Sequence, residues 1–525
     1  SSTRRSRRSR RLRRVLLAAA LGLALLCGGG ALGARALWQG LVVSTAGQVE
    51  FARPLAVPPL APSTLDAAGR RVFDLRAAPG RHSFGDVKVP TWGFGGGYLG
   101  PTLRASRGEH VVVNVRNDLP EATTVHWHGM HLPARMDGGP HQLVPPAGTW
   151  SPTWRVDQPA ATLWYHPHPH GRTATHVYRG LAGLFIVDDP GTDAAALPRR
   201  YGVDDIPLIV QDKRLDGDRL DEGDSALGDV GVLGDTIAVN GTVGPYLSVT
   251  TELVRLRLLN ASNARAYEFG FADDRRFALV GTDGGLLAAP HETTRVPLAA
   301  GERAEIVVAM RPGERTVLRS YPQRLGLGAI GERFVGGHDT LDLLQLRAAP
   351  RLATSPPLPQ RLAPAPALDA SSAATTRQFR LAGSSINGRR MDAGRVDATV
   401  VRDTTEVWRV VNTDGTPHSF HVHDVQFQVR SVGGQPPPPH LRGWKDTVYL
   451  RPQEPVELVL RFTDYSDPNT PYMFHCHVLL HEDRGMMGQF VVVEPGQAGP
   501  GSAPGPHGGG SGQHGGGSGH HAEHD

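Results

Sequence analysis

The stretch His475-Cys476-His477-Val478-Leu479-Leu480-His481, closed by Gly485-Met486-Met487, decides how the chain is read. Successive side chains of an extended strand point to opposite faces, so His475 and His477 project one way and Cys476 the other. One segment can thereby serve two metal sites. Cys476 and His481 offer a thiolate and an imidazole, and the thioether of Met486 lies ten residues past the cysteine. With one more imidazole from elsewhere, this is a His2Cys set with a weak axial Met, the ligands of a blue copper electron-transfer site. His475 and His477 are left for a second cluster. Alone, such a triplet also reads as a buried strand with hydrogen-bonded imidazoles.

Three further clusters decide between those readings: His126-Trp127-His128-Gly129, His166-Pro167-His168 and His418-Ser419-Phe420-His421-Val422-His423. Each H-x-H aims two imidazoles from one face of a strand at one pocket. With Cys476 and Met486, the ten histidines make twelve ligands. Eight imidazoles can hold three coppers, and the remaining His2CysMet set holds one. Imidazole and thiolate are the donors that suit copper among the available metals.

Composition fits a loop-rich β protein: 20% of the 525 residues are charged, while Gly and Pro number 64 and 43. The formal charge of +4 invites a nucleic-acid partner, but residues 1–36 hold nine Arg and no acid. Without them the charge is +4 − 9 = −5, which removes the support for a nucleic-acid partner. The two cysteines are Cys27, in the N-terminal apolar run, and Cys476. Once residues 1–36 are set aside no internal disulfide can form, and the single thiol is kept for chemistry.

Residues 1–36 combine an Arg-rich start with the uncharged run Val15 to Ala34, the pattern of an export signal, with Arg pairs that point to the twin-arginine route. The run is also just long enough to remain as a membrane anchor. Phe51 to Ser83 reads as a proline-rich and polar lead-in. Short β-type segments then recur at His110–Val115, Trp150–Val156 and Leu181–Val187, and again at Ile206–Val210, Thr236–Val239, Leu253–Leu259, Arg276–Val280 and Ala304–Ala309. A last set runs through Val407–Val411, Gln426–Val432, Thr447–Leu450 and Val456–Phe462. The expected division is a first sandwich over 48–192, a second over 200–348, a Pro/Ala-rich linker over 349–376, a third sandwich over 377–495 and a disordered His/Gly-rich tail over 496–525. The segment Gly433 to His440, with four consecutive prolines, is expected at the surface, either as a plain loop or bordering a substrate cleft.

From about residue 80 to 495 the sequence resembles the three-domain multicopper oxidases, especially the bacterial copper-efflux oxidase and spore-coat laccase branch. The resemblance is densest in Thr124 to Gly129, Asp157-Gln158-Pro159-Ala160, Trp164 to His168 and His475 to Met487. It implies an all-β chain of three cupredoxin-like Greek-key β-sandwich domains and four copper ions. His126 and His421 would hold the type 2 copper, and His128, His166, His168, His423, His475 and His477 the type 3 pair. His418, Cys476 and His481 would hold the type 1 copper, with Met486 axial. Asp137 and Glu482 match acids near the trinuclear centre and are candidates for proton delivery or for hydrogen bonding to ligand imidazoles. Ser419 and Asp424 replace a proline and a glycine usual in the third cluster, which bears on loop shape only. His131, His170 and His176 have no ligand slot.

The implied activity is a copper-dependent, laccase-like oxidase that takes single electrons from a small reducing substrate and passes them to dioxygen. Seven Met without a cluster lower the ranking of cuprous ions as donor and raise that of phenols and aromatic amines. The expected partners are dioxygen and the donor, with no nucleic acid, a membrane only if the N-terminal segment is retained, and a monomeric chain. The alternative is an exported copper-sequestering protein without turnover.

Overall fold

The computed structural model describes residues 38, 40–190, 197–225, 229–364, 366–497 and 499. The expected export signal, Cys27 and the tail histidines lie outside the described residues. Among those described, seven sheets form, and six of them pair face to face around three apolar cores. The all-β architecture of three cupredoxin-like sandwiches follows. No described helix is long and apolar enough to cross a membrane.

The first sandwich sets the sheet containing Arg71–Phe84, Val87–Phe94 and His110–Asn117 against Leu103–Ser106, Gly183–Asp188, Ala161–His166 and His126–His128. Its core includes Phe73, Val113, Trp127, Trp154, Tyr165 and Phe185. The second sandwich is built on the Asp205–Lys213, Leu253–Asn260 and Arg303–Ala309 strands, packed on a sheet that runs through Pro245–Thr251 and Leu341–Ala353. The third packs Thr375–Ala382, Thr404–Asn412 and Val456–Phe462 on a sheet ordered Ala398–Val401, Met487–Val493, Asp467–Cys476, His418–Val422, Thr447–Leu450.

Two sequence expectations are corrected. The lead-in is not structureless: Arg71–Phe84 is a fourteen-residue strand, pairing parallel with Val111–Asn117 and antiparallel with Val87–Phe94. Its first half alternates Phe73, Leu75 and Ala77 inward with Asp74 and Arg76 outward. Pro79 and Gly80 fall where only the one hairpin partner remains. The expected Trp150–Val156 strand is two pieces, Thr149–Trp150 and Thr153–Arg155, both on His110–Asn117. Pro152 lies between them and cannot donate to a ladder.

Residues 349–376 begin as the end of Leu341–Ala353 and finish in Thr375–Ala382. Between them Leu362 plugs into the second core, and Leu368 N–H donates to Gln428 Oε1 at 2.7 Å. In the third core, Trp408 is fully buried against Phe379, Phe420, Phe474 and Phe490, with ring centroids 4.7 to 6.4 Å apart. Phe420 and Phe474 lie on the two histidine-bearing strands, so this aromatic cluster sets their position. Trp408→Ala is expected to destabilise the copper-free protein by about 3–5 kcal/mol through the cavity it leaves, read from the shift in its denaturant midpoint.

Candidate copper centres

The register between the two histidine strands of the third sandwich explains the site. Phe420 pairs with Cys476, His421 with His475 and Val422 with Phe474. Alternation turns His418, Phe420, Phe474 and Cys476 into the core of the third sandwich and His421 and His475 outward toward the first, where His423, just past the strand end, joins them. The first sandwich mirrors this, pairing His128 with Trp164, Trp127 with Tyr165 and His126 with His166. Trp127 and Tyr165 enter its own core, while the imidazoles face the third sandwich. Imidazoles stack across the seam: the His126 and His423 rings are 3.8 Å apart, and those of His128 and His421 3.7 Å.

Two separate groups result. In one, His168, His423 and His475 converge, with Nε2 of His475 3.1 Å from that of His168 and 3.2 Å from that of His423. His128 Nδ1 is 3.3 Å from His166 Nε2, and the His477 ring centroid is 5.4 Å from that of His166 and 5.0 Å from that of His128. His126 and His421 lie against both sets. In the other group, His418 Nδ1 and His481 Nδ1 are 3.5 and 3.7 Å from Cys476 Sγ and 3.1 Å from each other. Asp414 Oδ1 accepts from His418 Nε2 and the Asp229 carbonyl from His481 Nε2, which turns both Nδ1 atoms to the sulfur. Met486 is buried, and its carbonyl accepts from the Cys476 N–H at 3.0 Å.

The acids sit behind the imidazoles. Asp137 Oδ2 accepts from His423 Nδ1 at 2.7 Å and its carbonyl from His126 Nδ1 at 3.0 Å. Glu482 lies 3.2 Å from His475 Nδ1 and 3.5 Å from His168 Nδ1. Burial opposes ionisation of the Cys476 thiol, but His418 and His481 outweigh it and bring its pKa down to about 5. Burial likewise works against a charged His418, and the Cys476 and Asp414 charges still raise it to about 9. Thiolate and imidazolium therefore pair where no metal is bound.

Asp424, where the family usually has glycine, keeps the left-handed backbone that glycine would allow, with φ 71°. Its carboxylate accepts from His131 Nδ1 at 2.7 Å, so His131 ties the first sandwich to the loop after His423. His176 is bound by Glu121 and Thr123, and the exposed His170 joins no cluster. Sequence reasoning missed Asp446, whose Oδ1 lies 3.0 Å from His128 Nε2 although 318 residues separate the two. No local motif marks such a contact. The prolines Pro436 and Pro438, with His440, line a cavity of about 540 Å³ together with Leu325 and Tyr449. A smaller adjoining space shares those last two residues and reaches Pro417 and Ser419, on either side of His418.

Multicopper oxidase family models match residues 77–192 and 360–496. The chain is 34% identical over 447 residues to multicopper oxidase mco of Staphylococcus haemolyticus, covering 83% of this chain and 92% of that protein. The chain belongs to the multicopper oxidase family. It is also 40% identical over 469 residues to cell division protein FtsP of Dickeya dadantii, covering 87% of this chain and 96% of that protein. The solved laccase-like multicopper oxidase CueO of Ochrobactrum sp. superposes with a TM-score of 0.76 at 36% identity, covering 84% of this chain and 100% of that one.

Multicopper oxidases imply copper, and the residues here fit it. His126 Nε2, His421 Nε2 and both nitrogens of His477 are buried without a hydrogen-bond partner. Buried polar atoms left unpaired are costly, and lone pairs converging from several strands are what a metal satisfies. Burial, with help from neighbouring imidazoles, pulls His168 and His477 down to about 3, so both stay neutral in the folded chain. Unfolding restores their ordinary value of 6.5, so the unfolded chain takes up more protons at lower pH. The contribution of these two imidazoles to the stability of the copper-free protein is therefore expected to be complete above about pH 6.5 and to fall as the pH drops toward 3, as measured by thermal melting across that range.

Proposed function

We propose that the protein is an exported copper-dependent oxidase that couples one-electron oxidation of a small donor to four-electron reduction of dioxygen to water. The observation that carries this reading is the junction at Cys476. Its sulfur faces His418 and His481, while the adjacent His475 converges with His168 and His423 and the His477 ring lies against those of His128 and His166. Bound copper would supply single-electron acceptance at the first group and dioxygen reduction at the second.

His418, Cys476 and His481 would hold the type 1 copper, with the buried Met486 as the further, weak ligand. His126 and His421 would hold the type 2 copper, and His128, His166, His168, His423, His475 and His477 the type 3 pair. Peptide and side-chain bonds through Cys476 join the two groups, so electrons need not cross a gap. Asp137 binds the outer nitrogens of His126 and His423. Glu482 lies 3.2 Å from the outer nitrogen of His475 and 3.5 Å from that of His168, and from these positions the two acids would pass protons to dioxygen as it is reduced. The cavity has an apolar and aromatic side at Leu325, Tyr449, Pro436 and Pro438, facing charged groups of both signs that include Glu268, Glu454, Arg324 and Arg451, and that apolar side favours phenols or aromatic amines as donors. The oxidase activity of the Ochrobactrum relative towards lignin model compounds and lignosulfonate supports the same class. The Arg-rich and then apolar N-terminal stretch supports export, and the chain is taken to act as a monomer.

The FtsP name of relatives near 40% identity favours a second reading, a cell-division role without turnover. Oxygen uptake separates the two. Copper-loaded protein is expected to consume oxygen with a phenolic donor, and Cys476→Ser to lose the blue absorption, one copper per chain and oxygen uptake to near background. A wild type that binds copper yet consumes no oxygen with phenolic, ferrous or cuprous donors would overturn the oxidase reading.

A further inference from the structure

The second sandwich supplies no imidazole to the cluster, yet it grips the segment that orients two of them. Lys445, Asp446 and Thr447 lie where the third sandwich crosses from the Trp444–Lys445 strand of one sheet to Thr447–Leu450 of the other. Asp446 Oδ1 accepts from His128 Nε2 at 3.0 Å, and the Asp446 carbonyl accepts from His421 Nδ1 at 2.8 Å. Those two bonds place a proton on the outer nitrogen of each ring. The inner lone pairs are left on His128 Nδ1, beside His166, and on His421 Nε2, which has no partner.

Asp446 is itself held from the second sandwich. Arg303, fully buried, forks onto it with Nη1 2.7 Å from Oδ1 and Nη2 2.6 Å from Oδ2. The remaining guanidinium donors go to the carbonyls of Thr162, Gly301 and Asp283, at 3.0, 3.2 and 2.9 Å. All five N–H donors of a guanidinium are thereby used. Asp283 Oδ1 accepts from the Arg303 backbone, while its Oδ2 lies 3.3 Å from the backbone nitrogens of both Asp446 and Thr447. Lys445 Nζ bridges Glu302 and Asp283 at 2.8 and 2.9 Å. With two cations and three carboxylates, the buried group carries a formal charge of 2 − 3 = −1 beside the imidazoles, and burial raises the pKa of Glu302 and Asp446.

The clamp leaves no slack. A Cβ on Gly129, the glycine after His128, would lie 2.5 Å from Asp446 Oδ2 and 2.7 Å from Arg303 Nη2. One on Gly301 would lie 2.9 Å from the His477 ring. Second-sandwich backbone thus also touches a third imidazole.

We propose that Arg303 is a positioning residue for the imidazole cluster, acting through Asp446 to fix which nitrogens of His128 and His421 face copper. The proposal rests on the copper-oxidase reading above. A buried, bidentate fork is a geometry that lysine, a point charge on a flexible stem, does not reproduce. Groups that orient metal-bound imidazoles typically change metal affinity 10–100-fold when altered.

The test uses the full chain with Arg303→Lys and, as the near-isosteric change, Asp446→Asn. Copper per chain is titrated against a chelator, alongside the blue absorption of the Cys476 centre, the electron paramagnetic resonance of the non-blue copper, and melting of the copper-free protein. Both variants are expected to keep the blue absorption, to bind cluster copper about 10–100-fold more weakly, and to show an altered non-blue resonance. Unchanged chelator titration and resonance, with only a lower melting temperature, would mean that the clamp is structural and would overturn the proposal. If Arg303→Lys does not fold, Asp446→Asn decides by the same readings. A wild type with no copper at the histidines would overturn the copper reading itself, an outcome distinct from unaltered variants of a copper-loaded wild type.

Discussion

Two-residue alternation along four short strands is the constraint on which the rest of this structure depends. Each strand must give one face to its own sandwich core and the other to the seam between the first and third sandwiches. Phe420, Phe474, Trp127 and Tyr165 satisfy the first demand, and His421, His475, His126, His128 and His166 the second. A slip of one residue in either register would bury imidazoles in an apolar core and turn aromatic rings into the seam. Core packing and metal-site assembly are therefore one requirement. Cys476 shows this most plainly, since the alternation that puts it among apolar side chains also puts His475 in the cluster, and His477 joins it from just past the strand end.

Burial then sets the electrostatics. Around the imidazole cluster, loss of water pushes His128, His166, His421 and His423 well below their ordinary range, and the imidazoles reinforce one another. Neutral rings with free lone pairs are the form that binds metal. His475 is the exception, because the Glu482 carboxylate outweighs its burial and raises it. At the thiol site the balance differs, since a thiolate and an imidazolium can satisfy each other. One protein thus holds a cluster of imidazoles kept neutral except at His475, and an ion-paired thiol site on the opposite face of the strand that ends at Cys476.

Much of this was legible in the sequence because the ligands come in local pairs. H-x-H is a two-residue signal, and four such signals with one cysteine fix both the fold family and the places where side chains converge. Of these pairs only His126 and His128 share a strand, while His168, His423 and His477 lie just past the strands that carry His166, His421 and His475. The signal fails where the partners are far apart. Nothing near Asp446 or Arg303 marks them, since their contacts span 318 and 143 residues and depend on how three sandwiches meet. The strand Arg71–Phe84 was hidden by Pro79 and Gly80, which are tolerated because only one neighbour pairs with that half. Asp424 was legible as a departure from the family's glycine. Its left-handed backbone and its bond to His131 were not, because they require the first sandwich to be in place.

The seam is also where the second sandwich matters. It contributes Arg303 and Asp283 beneath the cluster, and the Asp229 carbonyl that orients His481. The most direct measurement of the central claim is anomalous scattering at the copper edge from crystals of the copper-loaded chain. One peak enclosed by His418, Cys476 and His481, and three among the eight imidazoles of the seam, are the expected result. A peak at Cys476 with none in the seam, or none at either place, would contradict it.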